Sequence, residues 1–207
     1  MSPQAPSGRN STGLLSREQA KTLADRVLAM SKADQTRVNI TSEWSGNTRF
    51  ADASITTSGG VADTRITVTA TVGRRRASAT TNLVDNASLQ RTVDLAAQLA
   101  RLSPEDPELM PELGPQTYAP VEAFIDRTAQ LTGERRAEAV KRVVDAAMEA
   151  GKPAGQLFVA GFLDVHARTI AVANTSGLFA YRRNTGRRAA VRASYGYTHA
   201  QFRGAEA

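Results

Sequence analysis

Few residues in this chain are of the types that carry catalysis. There are two histidines, His166 and His199, and no cysteine among the 207 residues. The missing cysteines rule out a disulfide framework, a zinc–thiolate site and a cysteine nucleophile. His166 follows Asp164 by two, so both side chains fall on one face of an extended segment, where an Asp-x-His pair can bind a metal. No third ligand stands at metal-binding spacing and there is no His-Glu-x-x-x-His run. A polar pair on a strand face is therefore the expected reading. His199 lies in a polar C-terminal stretch and reads as solvated. Serine catalysis needs a base and an oriented histidine near the nucleophile. Ser176 instead precedes Gly177 in a turn, where serine serves local hydrogen bonding. Glu105, Asp106, Glu108 and Glu112 offer carboxylates, but in a proline-rich loop that does not hold a catalytic pair at fixed distance. The glycines at Gly59-Gly60 and Gly73 lack the strand-to-helix setting of a phosphate-binding loop. No residue is assigned a catalytic, cofactor or metal role.

Charge is the second chemical feature. The net charge is +6. Arg74, Arg75 and Arg76 supply three positive charges, and Arg182, Arg183, Arg187, Arg188 and Arg192 supply five. Removing these eight from +6 leaves −2, so the basicity is local. Such clusters bind nucleic acid, phosphates or acidic partners, or they are solvated turn and strand charges; the second reading is the commoner one.

The elements around these residues follow from periodicity. Ser16, with Gln19 three residues on, forms a capping-box pattern and starts a helix to about Met30, with Leu23, Val27 and Met30 on one side. A strand follows, with Val38 and Ile40 inward, Thr36, Asn39 and Thr41 more exposed, and Trp44 near its end. Residues 49–82 then read as strand, turn, strand, tight turn, strand. Ile66, Val68, Ala70 and Val72 alternate with Arg65, Thr67, Thr69 and Thr71, giving one buried and one wetter face. Gly59-Gly60 is expected to break the chain.

Asp85 or Asn86 caps a second helix with an apolar stripe of Leu89, Val93, Ala96, Leu99 or Ala100, and Leu102; Ser103 and Pro104 stop it. Residues 104–120 hold five of the eight prolines and are expected to be an extended loop. A helical segment is expected over about 121–131. Thr132 caps a third helix over 133–150 with Val140, Val143, Val144, Ala147 and Met148 on one side, ended by Gly151, Pro153 and Gly155. Extended segments follow at 156–163, 166 or 168–174 and 178–183, with another over 187–195, and Asn174–Gly177 forms a hairpin turn. Segregated helices and strands of this kind predict an α+β fold, a mainly antiparallel sheet packed against helices. The expected organisation is a disordered tail over 1–14, a domain over 15–195 and a C-terminal tail over 196–207. No apolar run reaches the ~20 residues of a membrane span, and the polar N-terminus lacks a secretory apolar region. A cytoplasmic protein with no membrane partner is expected.

Arg49-Phe50-Ala51, Ile55, Ser58, Gly73, Thr81-Asn82 and the helix positions Leu89, Val93, Ala96 and Ala100 fall in an order that resembles the N-terminal part of the TldD/PmbA metallopeptidase family, also described as modulators of DNA gyrase. The run from Ala173-Asn174 through Gly177-Leu178-Phe179-Ala180-Tyr181 is similar to a further segment of that family. The resemblance extends from about Leu15 to Arg192. It implies the fold of that family's N-terminal domain, which packs on a catalytic domain, helps form a dimer cavity and contributes to access by unfolded peptide. The family's zinc site, a His-Glu-x-x-x-His helix with a later cysteine, belongs to its C-terminal half, and none of those residues maps onto this chain. The resemblance therefore implies a truncated, non-catalytic domain, inactive alone, with zinc in the missing domain and a catalytic domain or subunit as partner. The alternatives are a standalone binder of nucleic acid or an acidic partner through the arginine clusters, with nucleic acid the weaker option, or an inactive remnant whose exposed apolar face promotes self-association.

Overall fold

The computed structural model describes residues 13–52, 54–151 and 157–195. The chain runs α1 (Arg17–Met30), β1 (Gln35–Ala51), β2 (Ser54–Val72), β3 (Arg75–Thr81), α2 (Asn86–Leu102), α3 (Asp126–Ala129), α4 (Gly133–Gly151), β4 (Leu157–Asn174) and β5 (Phe179–Tyr195). The strands form one five-stranded antiparallel sheet in the order β3-β2-β1-β4-β5. The expected α+β class is what the chain adopts.

Two units divide the residues. The first comprises residues up to Trp44, Ala62–Phe124 and Ala167–Asn184; the second comprises Ser45–Val61, Ile125–His166 and the residues from Thr185 on. Each long strand thus contributes residues to both.

In the first unit α1 and α2 cover one face of the sheet. Leu23, Ala24 and Val27 of α1 and Leu89, Val93, Ala96 and Ala100 of α2 are buried with Val38, Ile40, Ile66, Val68, Ala171 and Ala173. Sparse aromatics leave the buried part of this core to aliphatic side chains and alanine. The capping box at α1 is complete: Gln19 N–H donates to Ser16 Oγ, and Ser16 N–H donates to Gln19 Oε1. Asp85 caps α2 by accepting from Ser88 N–H at 2.9 Å. Leu14 is also buried, so packing begins inside the stretch expected to be a tail, whose residues 1–12 lie outside the described ones.

Three expectations for this unit change. Thr36 is buried, not exposed, because it shares the even-numbered side of β1 with Val38 and Ile40; its hydroxyl lies 2.6 Å from that of Ser31. Thr69 and Thr71, expected on a wetter face, are buried too, with Thr69 bonded to Ser78 and Thr71 to Arg76. On α2 the buried stripe runs through Ala97 and Ala100, which leaves Leu99 and Leu102 outside, Leu102 at 83% exposure.

In the second unit α4 packs Val140 and Val144 against Phe50 and Val159. Val143 and Met148, expected on the same side, are exposed. The Thr132 cap is present, its Oγ1 accepting from Arg135 N–H at 3.3 Å. Only Asp126–Ala129 is helical within 121–131. Gly59-Gly60 does not break the chain, since β2 runs through both. Gly59 instead presents its carbonyl to Arg136 Nη2 at 2.9 Å. The short extended segments expected after α4 are two long strands. Their hairpin turn is as expected: Gly177 sits at φ +91°, and Asn174 Oδ1 accepts from the N–H groups of Ser176 and Leu178. Pro153 and Gly155 lie outside the described residues.

Candidate functional site

The β2–β3 turn and the proline-rich loop are one assembly in the first unit. Tight reversal at Gly73, at φ +58°, sends Arg74, Arg75 and Arg76 toward the loop. Arg74 donates to the carbonyls of Asp106 and Pro107, and Asp106 N–H returns a bond to Arg74 O at 2.8 Å. Arg75 Nη1 donates to Arg101 O at 3.0 Å, and its Nη2 reaches Glu105 at 3.4 Å. Arg76 Nη2 meets Glu112 Oε1 at 3.1 Å and Met110 O at 3.3 Å, and Arg37 Nη1 reaches the same Glu112 oxygen at 3.5 Å. Further on, Leu113 O accepts from Asn174 Nδ2 at 2.8 Å. The loop has no regular structure, but guanidinium donors satisfy its carbonyls and carboxylates one after another. Charges that read as solvated, or as free for an anionic partner, are in fact engaged within the chain.

Beyond Pro115 the same segment runs beside β5 and leaves a groove of about 1230 Å³. One wall is residues 116–124; the other is Phe179 to Arg183 with Ile170 and Val172, and Arg17 of α1 stands at its margin. Tyr181 anchors β5 to the start of α1 by donating to Leu15 O at 2.9 Å. Burial pushes its phenol above the usual tyrosine range. Arg17 lies 5.2 Å from the Phe179 ring centroid and Arg183 lies 4.1 Å from that of Phe124. Both guanidinium groups are thereby fixed over rings. No carboxylate lies within 4 Å of Arg17, Arg182 or Arg183 among the described residues, and Glu122 is the single carboxylate in the lining. This arrangement has binding chemistry and no nucleophile with a base beside it.

In the second unit Arg136 is 3% exposed, on a helix face that periodicity assigns to apolar side chains. It donates to Thr48 Oγ1 at 3.2 Å, Leu131 O at 2.9 Å and Gly59 O at 2.9 Å. Gly46 makes the room, because a Cβ there would stand 2.6 Å from Arg136 Nη1. Burial lowers the pKa of this guanidinium from its ordinary value. A glycine at 46 and two more at 59 and 60 in strand-like sequence were the available hint.

The other candidates disperse. His166 packs its ring against Gly186, where any Cβ would collide with it. Ser176 takes part through its backbone in the Asn174 turn. His199 lies outside the described residues. Arg188 lies 5.6 Å from the Phe162 ring centroid, and Arg187 and Arg192 are exposed. Among the described residues no group of three or more His, Asp or Glu side chains is placed to hold a metal ion. The donor set around His166 and Asp164 therefore does not fit a zinc centre. Residues 66–72 of β2 are paired with β3 over Ile66↔Thr81 to Val72↔Arg75 and are interior to the sheet, whereas residues 179–183 lie on the edge strand β5.

The antiparallel sheet of strands up to 19 residues long, with helices inserted between the two strand groups, is the fold also found in solved structures of TldE and of proposed modulators of DNA gyrase. The chain matches the crystal structure of TldE from Thermococcus kodakarensis with a TM-score of 0.72 at 12% identity, over 84% of this chain and 42% of that one. It matches a proposed modulator of DNA gyrase from Bacteroides thetaiotaomicron with a TM-score of 0.65 at 14% identity, over 84% and 43% of the two chains. A third match is a proposed modulator of a DNA gyrase from Thermotoga maritima, with a TM-score of 0.64 at 13% identity over 84% and 42%. The chain thus spans less than half the length of each of these structures. No protein-family model matches the sequence, and no curated protein matches it. No helix among the described residues is long and apolar enough to cross a membrane.

Proposed function

We propose that this chain acts as a non-catalytic domain of a TldD/PmbA-type zinc metallopeptidase system. It would provide a dimer interface and part of a substrate cavity to a separate domain or subunit that carries the zinc. The observation that carries this reading is the fold shared over 84% of the chain with structures more than twice as long. Its own residues supply no zinc donor set among those described. The engagement of Arg74–Arg76 by the loop favours this reading over a nucleic-acid binder built on that cluster, because phosphates would have to displace bonds already made.

The test is assembly. The purified chain is mixed with a zinc-bearing TldD-type subunit from the same organism and run through size exclusion with light scattering. A single species whose mass is that of both chains together is expected. Separate elution at micromolar concentration would overturn the proposal.

A further inference from the structure

We propose that the groove along β5 in the first unit is a docking site for an extended, acidic peptide segment with aliphatic side chains. This does not depend on the peptidase reading.

Charge complementarity makes the first argument. Arg17, Arg182 and Arg183 border the groove with no carboxylate within 4 Å among the described residues, against Glu122 alone in the lining. Elsewhere in this unit Arg37, Arg75, Arg76 and Arg168 pair with carboxylates, and Arg26, Arg74 and Arg91 donate to carbonyl, amide or hydroxyl oxygens. Arg182 and Arg183 of the second arginine cluster and Arg17 of α1 thus bring three guanidiniums without a carboxylate partner to one groove. Two of them are held in place by rings, Arg17 by Phe179 and Arg183 by Phe124, so their immobilisation is already met before a ligand arrives.

The walls supply the second argument. Ile170, Val172, Ala180 and Val121 give an aliphatic lining between the charges. β5 is an edge strand, so its outer N–H and C=O groups along 179–183 stand outside the sheet ladder. An added extended chain would pair with them and direct alternate side chains to the lining and to the arginines.

Single-stranded nucleic acid fits less well. It needs successive open ring faces. Phe179 and Phe124 are already stacked by arginine, and Tyr181 is tied to Leu15, which leaves Tyr118 as the one lining ring more than half exposed.

Fluorescence anisotropy tests this with three labelled probes on the intact chain: an octapeptide alternating Glu and Val, its Lys–Val counterpart, and oligo-dT. The Glu–Val peptide is expected to bind at least about tenfold more tightly than the Lys–Val peptide and to weaken as salt is raised. The variant Arg17→Glu/Arg182→Glu should lose at least about tenfold in affinity, since each lost ion pair in a docking groove is of that order. Both side chains are solvent-facing, and an unchanged thermal melt will confirm that the variant folds; Arg17→Gln/Arg182→Gln serves if it does not. Equal affinity for the two peptides, binding of neither, unchanged affinity in the folded variant, or displacement of the peptide by oligo-dT would each overturn the proposal.

Discussion

Arg76 Nη2 and Glu112 Oε1 stand 3.1 Å apart, and this contact joins the β2–β3 turn to a loop 36 residues away in sequence. The Glu112 side chain is nearly buried at 8% exposure, and Arg37 shares it. Glu112→Gln removes the charge and keeps the shape, so it leaves two guanidiniums facing a neutral group. A loss of about 2 kcal/mol in urea denaturation is expected, the usual worth of a charged hydrogen bond at a partly buried site. The loop should also become open to chymotrypsin at Leu109, Leu113 or Tyr118. Unchanged stability together with unchanged cleavage would show that the latch does not hold the loop.

Arg136 and Gly46 form a matched pair in the second unit, the glycine leaving the space that the guanidinium fills. Arg136→Ala strands the carbonyls of Leu131 and Gly59 and the Thr48 hydroxyl, and should cost about 3 kcal/mol or more. Gly46→Ala drives a methyl into the guanidinium and should cost about 1–3 kcal/mol. Because both act on one contact, the double variant should lose clearly less than the sum. Strict additivity in the denaturation cycle would mean that the two positions are independent.

Asp85 and Glu18 each contribute to stability on the acid side. The Ser88 backbone N–H holds the Asp85 carboxyl below its ordinary value of 3.8. The backbone N–H of Glu18 itself, and then the Ser16 hydroxyl, hold Glu18 below 4.5. Folded values below unfolded ones mean a contribution that is present above the unfolded pKa and lost as pH falls through the folded one. Melting temperature should therefore drop as pH falls below about 4, near the ordinary carboxylate values. Asp85→Asn keeps a capping oxygen without the titration, so its melting profile should be flatter over this range. An identical slope in wild type and variant would remove Asp85 from the account.

Much of this fold is legible in local sequence, where one residue type decides one geometry. The Ser16–Gln19 capping box, the presence of a strand over 65–72 and the Asn174–Gly177 turn are cases of this kind. Long-range partners are what local patterns omit. Thr36 reads as polar and therefore outward, yet its parity on β1 buries it and Ser31 satisfies its hydroxyl. Arg136 shares the buried side of α4 with Val140 and Val144, and the oxygens of Leu131, Gly59 and Thr48, the last two distant in sequence, make its burial possible. The arginines at 74–76 read as available, because the carboxylates and carbonyls that engage them lie about 30 residues on. The β5 groove was legible only as an aromatic and basic run at 179–183. Its second wall, residues 116–124, carries no periodic pattern that would place it there.

The central proposal is that this chain contributes structure and binding to a TldD/PmbA-type system and performs no hydrolysis itself. A peptidase assay on the purified chain, with added zinc and a mixture of unfolded peptides, tests it most directly. The account predicts no cleavage above the background of a zinc-only control. Zinc-dependent cleavage that co-purifies with the chain and is abolished by a chelator would contradict it.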